Sequence, residues 1–219
     1  MCIRDSIDIT NRCNLRCPIC FANAAVTGYV VEPTLEELRS IMEHFRDPDI
    51  QPLPPVALQI SGGEPTVRND LPEILEMAKE LGFVHRMVTT NGLRFTNIDY
   101  LQEIIDAGMN AMYWQFDGLE RETWIKTRGV DLLDKKMKVI ENCRELGFKD
   151  VVLVPTIARG INEHQVGPIL KFATENQDVV SCIVYQPVSL CGRITQQEVL
   201  RLRYNATDLF TDINNYMQK

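Results

Sequence analysis

"VALQISGGEPTVRNDLPEILEMAKELGFVHRMVTTNG", residues Val56 to Gly92, is the stretch that decides the fold. Val56–Ile60 and His85–Thr89 are short β-rich runs. Between them apolar residues recur at helical spacing as far as Gly82, where a helix should stop. A strand, a helix and a second strand in this order make parallel neighbours, because the helix carries the chain back to the end it started from. Each strand then empties into a polar, glycine-containing turn, "SGGEPT" after the first and "TNG" after the second.

The same unit recurs along the chain. Strands are predicted at Ile7–Thr10, Val56–Ile60, His85–Thr89, Ala111–Phe116, Val151–Val154 and Ser181–Tyr185. Thr34 with Glu37 reads as a capping box before "LEELRSIMEHF", and Thr195 with Glu198 as another before the last helix. Gly108 and Gly147, like Gly82, fall at helix ends. The turns after the six strands read "NRCNLRCPIC", "SGGEPT", "TNG", "DGLE", "PTIARGIN" and "QPVSLCGR". A doubly wound sheet concentrates its ligands at one switch point, whereas a barrel builds its active site from every carboxyl-end loop. Signals after all six strands favour an α/β fold of the partial (β/α)6, TIM-like barrel kind.

The chain has 219 residues, 45% hydrophobic and 24% charged, enough to bury a core in one domain. Its 23 Lys and Arg against 30 Asp and Glu give a net charge of −7, and the basic residues are scattered, so no nucleic-acid partner is expected. Apolar runs such as "VVLV" (Val151–Val154) are far too short for an integral membrane segment, and no signal segment opens the chain. Seven cysteines, an odd number and unevenly spread, fit reduced thiols in a cytoplasmic protein. "MCIRDS", residues 1–6, reads as a non-native leader, which gives Cys2 no function and leaves residues 7–219 as one core domain.

Cys13, Cys17 and Cys20 stand apart from the rest, because their spacing lets one short loop wrap three thiolates around a compact centre. Arg12 and Arg16 beside them would help to keep the thiolates ionised. Zinc wants a fourth ligand, and His44, His85 and His164 are not placed near it in sequence. A redox pair would need only Cys17 and Cys20. A [4Fe–4S] cube held by three cysteines keeps an open position on one iron, where a small molecule can bind. A metal-stabilised scaffold without catalysis is the reading from another class. Cys143 and Cys182 read as small core residues, and Cys191 as a loop residue near the active rim.

"CNLRCPIC", Cys13 to Cys20, and "SGGEP", Ser61 to Pro65, resemble in order and placement the two signatures of the radical S-adenosylmethionine enzymes. The resemblance implies a [4Fe–4S] cluster, with Cys13, Cys17 and Cys20 as metal ligands, and S-adenosylmethionine bound on its open iron. Reductive cleavage of that cofactor would give a 5′-deoxyadenosyl radical that abstracts a substrate hydrogen, with a reductant such as ferredoxin or flavodoxin as partner. By position, Gly62, Gly63, Glu64 and Pro65 would hold the methionine moiety, the glycines allowing close approach and Glu64 accepting from the ammonium. Asn91, Gln115 and Asp117 would reach the ribose or carboxylate, Arg159 would pair with the carboxylate, and Phe21 and Gln186 would approach the adenine. The chain departs from the family at Ile19, where an aromatic residue often precedes the third cysteine.

Longer stretches, among them "DITNRCNLRCPICFANA", "LQISGGEPTVRNDLPEI" and "VVLVPTIARGIN", are similar to the tetraether lipid synthase group of archaea. That similarity implies carbon–carbon coupling of isoprenoid lipid chains, further clusters in segments upstream of this chain, and a position peripheral to the membrane if the substrate is lipid. The alternative is a sibling enzyme that modifies a peptide or a nucleotide, as in molybdenum cofactor synthesis.

Overall fold

A computed structural model describes residues 4–24, 28–50, 54–188 and 191–218. Cys2, together with Ser189 and Leu190 of the "QPVSLCGR" turn, lies outside them. Six parallel strands form the main sheet: β1 (Arg4–Asp8), β2 (Ala57–Ser61), β3 (His85–Thr90), β4 (Ala111–Gln115), β5 (Val151–Val154) and β7 (Val180–Ile183). Their spatial order is β1-β2-β3-β4-β5-β7. The order follows the sequence without reversal, so there is no switch point and every crossover helix falls on one side. This is the partial barrel. β6 (Thr156–Ile157) and β8 (Gln186–Pro187) extend its carboxyl-end rim as a small parallel pair.

The first strand begins at Arg4, inside the stretch read as a leader, and ends at Asp8, not Thr10, because its pairing starts at Arg4 opposite Ala57. The helices have the expected ends. α1 (Leu35–Arg46) starts with the Thr34–Glu37 capping box and α7 (Gln196–Leu202) with that of Thr195 and Glu198. The sequence reading makes the helix after the second box the last one, yet α8 (Ala206–Met217) follows α7, with its own reciprocal cap from Asn205 and Asp208. It packs where α6 (Val166–Glu175) carries Gly167, since a Cβ there would meet the Tyr216 ring at 2.1 Å.

Strand alternation divides the side chains between two faces. Ile7, Leu58, Ile60, Val88, Met112, Trp114 and Leu153 join the main core under the helices. Phe116 sits at its centre, with ring centroids 5.3 Å from Trp114, 5.9 Å from Trp124 and 5.0 Å from Phe172. On the concave face Met87, Ala111, Tyr113 and Val154 pack as a separate apolar group with Val152 and Val184. Ser6 and Asp8, exposed on the same face of β1, make its other side polar. Cys143 is buried as expected, whereas Cys182 is exposed, because its position on β7 turns it from the core.

Candidate functional site

The cysteine loop and the Gly-Gly turn are fastened to each other by backbone. Gly63 N–H donates to Thr10 O (2.7 Å) and Glu64 N–H to Arg12 O (2.8 Å). A Cβ on Gly62 would meet Thr10 O at 2.3 Å, and one on Gly63 would meet Arg12 O at 2.2 Å. Gly62 also has φ of 136°, which a side chain resists. Both glycines are therefore required by contact with the segment entering the cysteine loop, a different reason from the cofactor approach inferred from sequence.

Glu64 also differs from expectation. It is 1% exposed, and its carboxylate turns inward to accept from Thr66 N–H (3.2 Å), Thr66 Oγ (2.6 Å), Thr90 Oγ (2.6 Å) and Asn91 N–H (2.7 Å). Burial raises its pKa, and these donors oppose the rise. With its oxygens so engaged, Glu64 organises the "TNG" turn from the cavity wall. Pro65 is likewise buried, at the start of a single 3-10 turn, and does not line the cavity.

A cavity of about 260 Å³ opens at the carboxyl-end rim. Cys13, Cys17, Cys20, Phe21, Gly62, Gly63, Glu64, Asn91, Gln115 and Gln186 all line it. Phe21 is 68% exposed at its edge, and Gln186 donates to Tyr113 Oη (2.9 Å) across its wall. Asn91 is fixed by donating to Asn14 Oδ1 (2.7 Å).

Asp117 and Arg159 are elsewhere. Asp117 is fully buried and takes a bidentate pair from Arg128 (2.5 and 2.8 Å) as well as Thr156 N–H (3.0 Å), so its carboxylate has no reach left for a ribose. Arg159 pairs with Asp208 (2.8 Å) and donates to Arg203 O (3.0 Å) on α8's side of the molecule, outside the cavity. Arg12 is bound to Glu32 (2.6 Å), and Arg16 is exposed. The cation that faces the thiols is one that the sequence reading missed. Arg128 lines the cavity, with Cys17 and the Gln115 side-chain amide beside its guanidinium. Burial works against its charge, but Asp117 holds its pKa above the ordinary value. Its signal in the sequence was only "RG" closing α4 (Arg121–Arg128).

A second missed arginine clasps the cysteine loop from the far end of the chain. Arg193 donates to Cys17 O (3.0 Å), Ala24 O and Asn23 Oδ1 (3.2 Å), and its own N–H reaches Cys20 O (3.1 Å). Gly192 makes this approach possible, because a Cβ there would meet Cys20 O at 2.2 Å.

Among the described residues no three His, Cys, Asp or Glu side chains converge tightly enough for a single metal ion. The three thiols instead surround one cavity, within electrostatic reach of each other. Burial pushes the Cys13 thiol up to about 11, and Leu15 N–H donates to its sulfur (3.4 Å). Metal binding must displace that proton. Three soft sulfur donors on one loop, an amide donor and an arginine at the sulfurs, and open space facing a glycine turn fit a [4Fe–4S] cluster with a small molecule beside it.

Residues 7–173 match the family model described as the Radical SAM superfamily. The chain is 49% identical over 203 residues to a 7,8-dihydro-6-hydroxymethylpterin dimethyltransferase of Methanocaldococcus jannaschii, an alignment covering 93% of this chain and 40% of that protein. It is 27% identical to a probable GTP 3′,8-cyclase of Methanothermobacter marburgensis, covering 84% of this chain and 58% of the other. The chain thus spans less than two thirds of either relative's length. In architecture it resembles SuiB of Streptococcus suis bound to S-adenosylmethionine, with a TM-score of 0.73 and 18% identity over 98% of this chain and 46% of that one. The cofactors of such a site are a [4Fe–4S] cluster and S-adenosylmethionine.

Proposed function

The chain belongs to the radical S-adenosylmethionine superfamily, and on that premise we propose that it is the radical-generating core of an enzyme that abstracts hydrogen from a carbon of its substrate. The observation that carries this reading is the fastening of the two signature segments into one wall, with all three thiols and both glycines on a single cavity. When bound, the cluster and S-adenosylmethionine supply a 5′-deoxyadenosyl radical on one-electron reduction. The chain's residues hold and shield it. Cys13, Cys17 and Cys20 would each hold an iron. The backbone of Gly62 and Gly63 faces the methionine end, Asn91 and Gln115 flank the ribose or carboxylate, and Phe21 and Gln186 stand toward the adenine. Arg128 would stand beside Cys17 at the cluster's edge. A ferredoxin or flavodoxin would supply the electron.

Two substrate classes have support of their own. Methyl transfer to a reduced pterin is supported by the 49% identity to a pterin dimethyltransferase. Coupling of isoprenoid lipid chains is supported by the motif resemblance and by the apolar concave wall of Met87, Ala111, Tyr113, Val152, Val154 and Val184; association with the membrane surface belongs to that reading alone. Incubation of the reconstituted full-length protein with 6-hydroxymethyl-7,8-dihydropterin, or with archaeal-type diether lipid, separates them by mass spectrometry. Added methyl groups identify the pterin reading, and hydrogen loss on coupling the lipid reading. Failure to form 5′-deoxyadenosine with any substrate or none contradicts the radical assignment.

A further inference from the structure

Lys136 is out of place. On α5 (Leu133–Glu145) the buried stripe runs through Lys136, Val139, Ile140 and Cys143, and the lysine occupies an apolar position in it at 1% exposure. Its ammonium lies 5.1 Å from the Trp114 ring and 4.9 Å from that of Trp124. It makes no ion pair with any described carboxylate. Its bonds go to two backbone carbonyls, Asn91 O (2.6 Å) and Gln115 O (2.7 Å), and more weakly to Gln115 Oε1 (3.4 Å), on the residues that close β3 and β4 at the cavity.

A methionine would fill this position with little strain, so the structure keeps a desolvated cation where an apolar group would pack. Desolvation, with the Arg128 guanidinium nearby, lowers its pKa to about 7, and Asp117, Glu64 and Cys17 oppose that fall. Cavity-side negative charge therefore favours the ammonium, and cluster thiolates with a carboxylate-bearing cofactor add such charge.

We propose that Lys136 is a positioning residue of the cofactor site. It ties the ends of β3 and β4 together from behind the wall, setting Asn91 and Gln115, and puts a positive charge behind them. The role rests on the reading that the cavity takes the cluster and S-adenosylmethionine. It is distinct from the roles of the residues that line the cavity, because Lys136 is not one of them.

The test uses the anaerobically reconstituted chain with Lys136→Met and Lys136→Gln, the second keeping two donors without the charge. Iron content, S-adenosylmethionine binding by equilibrium dialysis, and the cluster's midpoint potential are measured on each. Both variants are expected to retain wild-type iron. Lys136→Met should weaken S-adenosylmethionine binding by about tenfold, and Lys136→Gln by less. Both should lower the midpoint potential, because removal of a nearby cation disfavours the reduced cluster. A structural filler would not move the potential. Unchanged potential and affinity in Lys136→Gln overturn the proposal. So does failure of both variants to fold, which would make the lysine a core group only. If Lys136→Met alone fails, Lys136→Gln decides. A wild-type chain that binds neither iron nor S-adenosylmethionine refutes the reading of the cavity, and the role of Lys136 with it.

Discussion

Glu64 shows how far a side chain's task can differ from its motif. Four donors hold its buried carboxylate. Glu64→Ala strands them without solvent, and chemical denaturation should show a loss of about 2–4 kcal/mol, with Glu64→Gln losing less. Lys136 has a pH signature. Its folded pKa, about 7, lies below the ordinary 10.5, so between those values the unfolded chain binds the extra proton and folding stability rises with pH. The stability of cluster-free wild type relative to Lys136→Met should therefore rise from pH 7 to pH 10; a constant difference contradicts it. The thiols were legible because three sulfurs on one short loop are local chemistry. Arg159 was not, since its partner Asp208 comes from another helix and no local pattern announces it. Lys136 was readable in principle, as a charge that interrupts an apolar stripe.

Between elements, the decisive contact is that of the Gly-Gly turn on the segment leading to the cysteines. Gly63→Ala would force Arg12 O away from a Cβ now at 2.2 Å. Such overpacking costs about 1–3 kcal/mol, and the strain falls on the loop proposed to hold iron. Its iron content after reconstitution should drop well below wild type while far-UV circular dichroism stays the same. Arg193 closes the loop from the other side. Arg193→Ala should lose iron to a chelator several-fold faster, with Arg193→Lys between it and wild type. The capping boxes at Thr34 and Thr195 were legible because both partners lie within four residues. The cap at Asn205 follows the same rule with Asp208 in place of Glu, which is why α8 was overlooked. Arg193 reaching Cys17 is a contact 176 residues apart, beyond any local reading.

At the scale of the molecule, the strand rhythm carried the architecture, because alternation and helix ends repeat in every unit and the sheet keeps sequence order. The substrate was less legible, because the concave face presents an apolar wall on β3 to β7 and polar groups on β1, and neither is a motif. The central claim concerns what the three cysteines and the glycine turn make together. Anaerobic reconstitution of the full-length protein, followed by iron analysis and assay for 5′-deoxyadenosine after reduction with dithionite, tests it most directly. The account expects a cluster of about four irons at the Cys13–Cys20 loop, lost in Cys17→Ala, and 5′-deoxyadenosine from wild type alone. One bound zinc with no 5′-deoxyadenosine, or an undiminished cluster in Cys17→Ala, would contradict it.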